Sequence, residues 1–351
     1  MANCRLKTEK IGLIEFSLII GIVLYAVLIV MTNYSSNAFY NYDMYSDQLY
    51  ARLVSEEGTI FPSDWVFGNQ YYVIATPVLA GILNHFFQNS FLSMATASTI
   101  MFLIILAVFY WSFQPFFDRF SLLTGLFCLS GAVILGDSAS SHISGLQLFY
   151  TMASYYACYV IGILFTLGVW LRLKNGMKPG FLSWVSAIII SITLGMQSLR
   201  EMLVLYIPLV IYETLSSVRN RKIYFPSALF IMSIFASNII GLVLIHFFPV
   251  NSNPIISEVK LDLHSDVIIY RFTLAFQRFL QLIGISYLAE NWKWKILGVI
   301  SLFYTITAVT IVIKIMISRE HTDASQIIKL YMLSIGGVLF VGTFLFIVRH
   351  I

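Results

Sequence analysis

Charge is scarce in this chain. Lys, Arg, Asp and Glu make up 11% of its 351 residues, where soluble proteins carry about 25%. That shortage excludes a soluble globular domain and a disordered chain, both of which depend on polar surface. Cysteine is scarce too. Cys4, Cys128 and Cys158 lie far apart, which excludes a disulfide-stapled secreted scaffold and offers no metal-ligand spacing; all three read as free thiols. The net charge of +4 contains no basic run, so no nucleic-acid partner is expected. No internal repeat, low-complexity tract or Gly/Ser linker interrupts the chain, and residues 1–351 read as a single transmembrane domain.

What fills the chain is apolar. Hydrophobic residues reach 59% and aromatics 16%, with 29 Phe and 20 Tyr. A bilayer core of about 30 Å needs roughly 20 apolar residues per helix. Such runs occur at 11–31, 90–112, 120–136, 148–171, 181–199, 201–217, 225–247, 297–314 and 328–348, so an all-α polytopic membrane protein of about nine spans is expected. The first run exceeds the roughly 7–15 apolar residues of a signal peptide and is followed by no small-x-small cleavage site, so it reads as an anchor. Lys and Arg gather before the first run (Arg5, Lys7, Lys10), at 172–180 (Arg172, Lys174, Lys178) and at 218–224 (Arg219, Arg221, Lys222). The positive-inside rule puts these, and the N-terminus, in the cytoplasm of a multi-pass cell-membrane protein. Segments 32–89, 137–147, 200–201 and 248–296 then face outward. Within the last, 266–284 carries Arg271 and Arg278 seven residues apart on one helical face. It reads as an interfacial amphipathic helix rather than a tenth span.

The outward segments hold the polar chemistry. From Asp47 to Glu57 the apolar residues Leu49, Tyr50, Leu53 and Val54 recur at helical spacing, and Gly58 follows as a stop. This predicts a short amphipathic helix on the outer surface, with Asp43 and Asp47 on one face if the helix reaches back that far. A carboxylate at a membrane edge is costly to desolvate unless it has a partner or a task, and in a partly apolar pocket it makes a usable general base. The competing reading makes Asp47 a first-turn acid favoured by the helix dipole. Asp137, Ser138, Ser140, Ser141 and His142 form a second polar group. Its members are too close in sequence to converge as a hydrolase triad, and they read as a loop that could line a cleft. Arg200, at the turn of an apolar hairpin, either makes a surface contact with Glu201 or offers an anion site, since the guanidinium fork matches phosphate. Between 250 and 271, Glu258, Lys260, Asp262, His264, Asp266 and Arg271 alternate in sign as in a solvated loop.

These residues resemble a family. Asp47-Gln48-Leu49-Tyr50, Glu57-Gly58, Phe67-Gly68-Asn69-Gln70-Tyr71-Tyr72 and Thr76-Pro77-Val78-Leu79 are similar to the first outer loop of GT-C-fold membrane glycosyltransferases, in the style of the protein O-mannosyltransferases and aminoarabinose transferases. Gln48 stands where that family has Glu, which leaves Asp43 as the substitute second acid, and Thr76 replaces the first Pro. Gly195 to Arg200 followed by Pro208 is similar to the stretch in which a basic residue precedes a Pro-containing span. Arg349-His350 resembles the basic stretch after a late span. Relatives carry further spans or a C-terminal outer domain, so the chain resembles a short member or a fragment of the family.

The resemblance implies a GT-C-like transmembrane helical bundle whose long first outer loop carries amphipathic helices. It implies that a sugar moves, with inversion, from a polyprenyl-phosphate-linked donor to a glycan, lipid or protein acceptor in the cell envelope. Asp47, with Asp43, would act on the acceptor hydroxyl. Arg200 and Arg349 would bind the donor phosphate, and Tyr50, Tyr71, Tyr72, Asp137 and His142 would line the substrate. Such chemistry needs no nucleotide, so no cofactor is expected and no metal-ligating residue is assigned. The runner-up reading is a membrane transporter or lipid-linked glycan flippase, and a third is a catalytically silent assembly subunit.

Overall fold

A computed structural model describes residues 11–34, 42–68, 70–135, 145–221, 223–251, 264–282, 288, 292–317 and 329–330. The described residues are about 82% helical, with no β-strand among them. Their order is α1 (Leu13–Asn33), α2 (Tyr42–Glu57), α3 (Thr76–Phe87), α4 (Ser90–Phe113), α5 (Arg119–Leu135), α6 (Gly145–Lys174), α7 (Phe181–Gln197), a π-helical stretch Met202–Tyr206, α8 (Ile207–Asn220), α9 (Phe225–Leu244), a 3₁₀ turn Ile245–Phe247, α10 (Ser265–Leu282) and α11 (Trp292–Ile317).

Among the described residues, five helical segments are long and apolar enough to cross a membrane: Leu13–Met31, Ser90–Phe113, Tyr156–Lys174, Met202–Arg219 and Phe225–Phe247. Arg119–Ser130, Phe181–Gln197 and Gly298–Thr307 are shorter apolar helices. The expected runs at 120–136, 181–199 and 297–314 therefore lie on helices with a shorter apolar core, and the run at 328–348 falls almost wholly outside the described residues. Of the segment 266–284, the described residues 266–282 lie in a helix, α10, which is not among the five. Large apolar side chains stay uncovered along these helices, including Leu24 on α1, Leu103 on α4, Ile189 on α7 and Met232 on α9. Water would penalise such a belt heavily, whereas lipid tails do not.

The chain divides into two compact units. The first comprises Met1–Glu201 and Phe225–Ser252; the second comprises Met202–Tyr224 and Asn253–Ile351. In the first unit α4 packs on α6, α6 on α7, and α7 along α9, while α1 lies against α5 and α4. Small residues let α7 and α9 approach closely. A Cβ at Gly195 would collide with the Asn238 carbonyl, and one at Gly241 would lie 2.9 Å from the Met196 nitrogen. Ser191 Oγ donates to Ile234 O (2.6 Å), and Asn238 Nδ2 donates to Ser191 O (3.0 Å). Close backbone packing with interhelical hydrogen bonds is how apolar helices associate where the hydrophobic effect is absent.

Local sequence fixes the connections. Asp118 Oδ1 accepts from Ser121 N (2.8 Å) and starts α5. Pro77 sits in the first turn of α3, where its missing N–H costs nothing. Gln88, in the left-handed region (φ 50°), ends α3, and Asn89 Oδ1 caps α4 through Leu92 N (3.0 Å). Arg172, counted above as a loop charge, lies inside α6. It donates to the Trp111 and Ser112 carbonyls at the end of α4 and stacks 4.0 Å from the Trp111 ring. A cation on final-turn carbonyls is favoured by the helix dipole. The second unit contains α8, α10 and α11, with the π-helical stretch leading directly into α8.

Candidate functional site

The segment between α1 and α4, expected to face outward, folds from α2 to α3 as a cap over one end of the first unit. Its helix, α2, starts five residues earlier than the apolar pattern predicted and ends at Gly58 (φ 66°), as expected. Its buried face is Asp47, Tyr50, Ala51 and Val54, spaced i, i+3, i+4, i+7. Leu49, assigned to that face by sequence, is exposed. Ala51 belongs to the face because α2 sits tightly on α3: a Cβ at Gly81 would lie 3.0 Å from Ala51 O. From Gly58 the chain winds through an aromatic core of Tyr50, Phe61, Phe67 and Tyr72, sealed by Val78, Met196 and Ile245. Tyr50 and Tyr72 meet edge to face at 4.9 Å, a favoured aromatic geometry.

Two tethers fix this cap to the helices. Phe67 N donates to Asn251 O (2.8 Å), just past α9. At the end of α7, Gln197 acts as a clamp. Its Oε1 accepts from Val73 N (2.9 Å) and Ile74 N (2.7 Å), its Nε2 donates to Cys158 Sγ (3.3 Å), and its carbonyl accepts from Tyr71 N (3.0 Å). These bonds bring residues 58–75, the Tyr156–Tyr159 turn of α6, the end of α7 and the end of α9 to one end of the unit. Arg172 and Lys174 lie at the opposite end of α6, and Lys178 lies in the connection from α6 to α7.

Asp47 and Arg200 meet the same short segment. Tyr72 Oη donates to Asp47 Oδ1 at 2.8 Å, and Asp47 is only 2% exposed. Two residues earlier, Gln70 Oε1 accepts from the Arg200 guanidinium and from Tyr159 Oη (3.4 Å). The Arg200 guanidinium lies 4.9 Å from the Tyr156 ring centre, within cation–π range. The Asp47 carboxylate and the Arg200 guanidinium are thus each hydrogen-bonded by a residue of the same short non-helical segment, Tyr72 and Gln70.

The other sequence-assigned residues divide plainly. Tyr71 is half-buried beside Phe67 (5.5 Å between rings). Tyr50 is fully buried and donates to Ile60 O (2.7 Å), so its contacts are those of the cap core rather than of a lining residue. Burial, and secondarily the Asp47 charge, push the Tyr50 phenol upward, so it stays neutral. Asp43 lies on α2 with its side chain outside the described residues, and Asp137, His142 and Arg349 also lie outside them. Of the two readings offered for Arg200, the burial of Glu201 argues against the surface contact. Glu201 is 1% exposed, and its carboxylate is 2.9 Å from where a Cβ at Gly162 would stand. Gly162 on α6 makes room for it, and no local pattern around residue 201 reveals that. Among the described residues, no three His, Cys, Asp or Glu side chains gather as metal ligands would.

No protein-family model matches this chain, and neither the curated proteins nor the solved structures contain a match to it.

Proposed function

We propose that this chain is a membrane glycosyltransferase of GT-C-like architecture. It moves a sugar from a polyprenyl-phosphate-linked donor to a cell-envelope acceptor on the outer face of the membrane. The observation that carries this reading is that two residues of one short segment, Tyr72 and Gln70, hydrogen-bond the buried Asp47 carboxylate and the Arg200 guanidinium respectively. An acceptor hydroxyl would take the place of the Tyr72 hydroxyl on Asp47. Its proton passes to the carboxylate as its oxygen bonds to the anomeric carbon. The bond from that carbon to the phosphate oxygen breaks on the opposite face, and the electron pair leaves with the phosphate, which inverts the centre. Arg200 stabilises the charge that grows on the leaving phosphate. Tyr71 lines the sugar, Tyr50 shapes the cap behind it, and Asp43 and Arg349 are the supplementary acid and cation.

Incubating the purified chain with polyprenyl-phosphate sugars and following loss of the lipid-linked sugar tests this. Asp47→Asn should slow release by at least about 100-fold, the lower range for losing a general base. Equal rates for wild type and Asp47→Asn would show the base assignment to be wrong. One observation favours the runner-up, a transporter or lipid-linked glycan flippase: Glu201 and Glu213 are buried acids (1% and 7% exposed) on helical segments, and intramembrane carboxylates typify ion and substrate pathways. Solute movement in liposomes without sugar release would establish that reading.

A further inference from the structure

Arg200 both begins and ends a ring of hydrogen bonds. Its backbone N–H donates to Ser198 Oγ (3.2 Å), and Ser198 Oγ lies 2.8 Å from Tyr159 Oη. Tyr159 Oη donates to Gln70 Oε1 (3.4 Å), which also accepts from the Arg200 guanidinium. Each hydroxyl has one proton to give. Because Tyr159 spends its proton on Gln70, Ser198 must donate to Tyr159. Two donor routes then run from Arg200 to the Gln70 amide oxygen: one from its N–H through Ser198 and Tyr159, the other directly from its guanidinium. Gln70 and Tyr159 are each 5% exposed, so the ring is not a surface accident.

We infer that Gln70, Tyr159 and Ser198 are positioning residues that hold Arg200 as the receptor for the phosphate of a polyprenyl-phosphate lipid. This rests on the reading of Arg200 as the donor-phosphate site. The residue at the centre of the ring is an amide, which orients the guanidinium without cancelling its charge; a carboxylate there would form an ion pair and compete with the phosphate. The Tyr156 face supports the guanidinium from another direction. Side chains from the cap, α6 and the end of α7 thus fix one fork, which lowers the ordering cost of binding an anion.

The test measures binding to the full chain in nanodiscs, using a polyprenyl monophosphate, the matching polyprenol and inorganic phosphate. Wild type should prefer the phosphate lipid to the polyprenol by roughly tenfold or more, the range of a hydrogen bond to a charged group. Gln70→Glu should abolish that preference, and Tyr159→Phe should reduce it about fivefold, the scale of one neutral hydrogen bond. Both should leave polyprenol binding unchanged, a result that mere loss of structure would not give. If Tyr159→Phe also loses polyprenol binding, Ser198→Ala, which opens the ring at its half-buried member, decides by its phosphate preference. Variants that keep the full preference overturn the positioning ring while leaving the Arg200 site standing. A wild type without preference removes the anion site and the ring together. Inorganic phosphate that displaces the lipid at equal concentration would show a free-anion site rather than a lipid-headgroup site.

Discussion

Replacing Gln197 with Leu tests how the cap is held. Gln197 is 1% exposed, and its side chain accepts from two consecutive backbone N–H groups, Val73 and Ile74. Leu fills similar space but accepts nothing, so both N–H groups lose their partner, and Cys158 loses its donor. A buried donor left unsatisfied costs about 1–3 kcal/mol. Ile74 is exposed and Val73 half-buried, so water recovers part of that cost, and a total of about 2–4 kcal/mol is expected. The backbone bond from Tyr71 N to the Gln197 carbonyl survives, as does the Phe67–Asn251 tether. The loss should therefore appear as local opening of residues 71–75 rather than global unfolding. Hydrogen exchange in nanodiscs reads it directly: amides 73 and 74 should exchange roughly 30- to 700-fold faster, the equivalent of that free energy. Gln197→Glu keeps an acceptor and should fall between wild type and Leu. If the Leu variant protects amides 73 and 74 as well as wild type does, the clamp is not what holds the cap.

Two more substitutions probe the frame. Gly195→Val pushes a side chain into the Asn238 backbone, which cannot rotate away, so about 3 kcal/mol should be lost in thermal unfolding. Gly68→Ala meets nothing within 4 Å and should be neutral to within about 0.5 kcal/mol. Asp118 is held below the usual carboxylate range, first by the Ser121 hydroxyl and then by the Ser121 N–H. A lowered folded-state pKa means its contribution to α5 is complete above about pH 4 and disappears as pH falls through the lowered value. Asp118→Asn should keep most of the cap and remove that acid dependence, while Asp118→Ala should lose about 0.5–1 kcal/mol at neutral pH; unfolding followed from pH 6 to pH 3 separates the three.

The helices were readable because long apolar runs have few alternatives to spanning or core helices. α2 was readable because Gly58 terminates it and Asp47, Tyr50 and Val54 share a period. Its exact face was not, since Ala51 is buried by the small Gly81 on another helix. Gln70 and Gln197 stood inside quoted motifs but were given no role, for a physical reason. An uncharged amide gives no signal in charge or hydropathy, and its value here comes from backbone N–H groups and a guanidinium more than 100 residues away in sequence. The burial of Glu201 was not legible because its direction depends on a glycine on α6. The π-helical stretch at Met202–Tyr206 likewise follows from no local residue preference.

We propose that Asp47 and Arg200 serve one outward aqueous face, with the Arg172–Lys178 end opposite. Single cysteines at Tyr45 and Leu199, which are 62% and 54% exposed, and at Met177, 42% exposed, report on the two ends. In intact cells whose chain carries Ser at Cys4 and Cys128, a membrane-impermeant thiol reagent should label positions 45 and 199 and leave 177 untouched until the membrane is opened. Labelling of 177 from outside, with 45 and 199 protected, would contradict it.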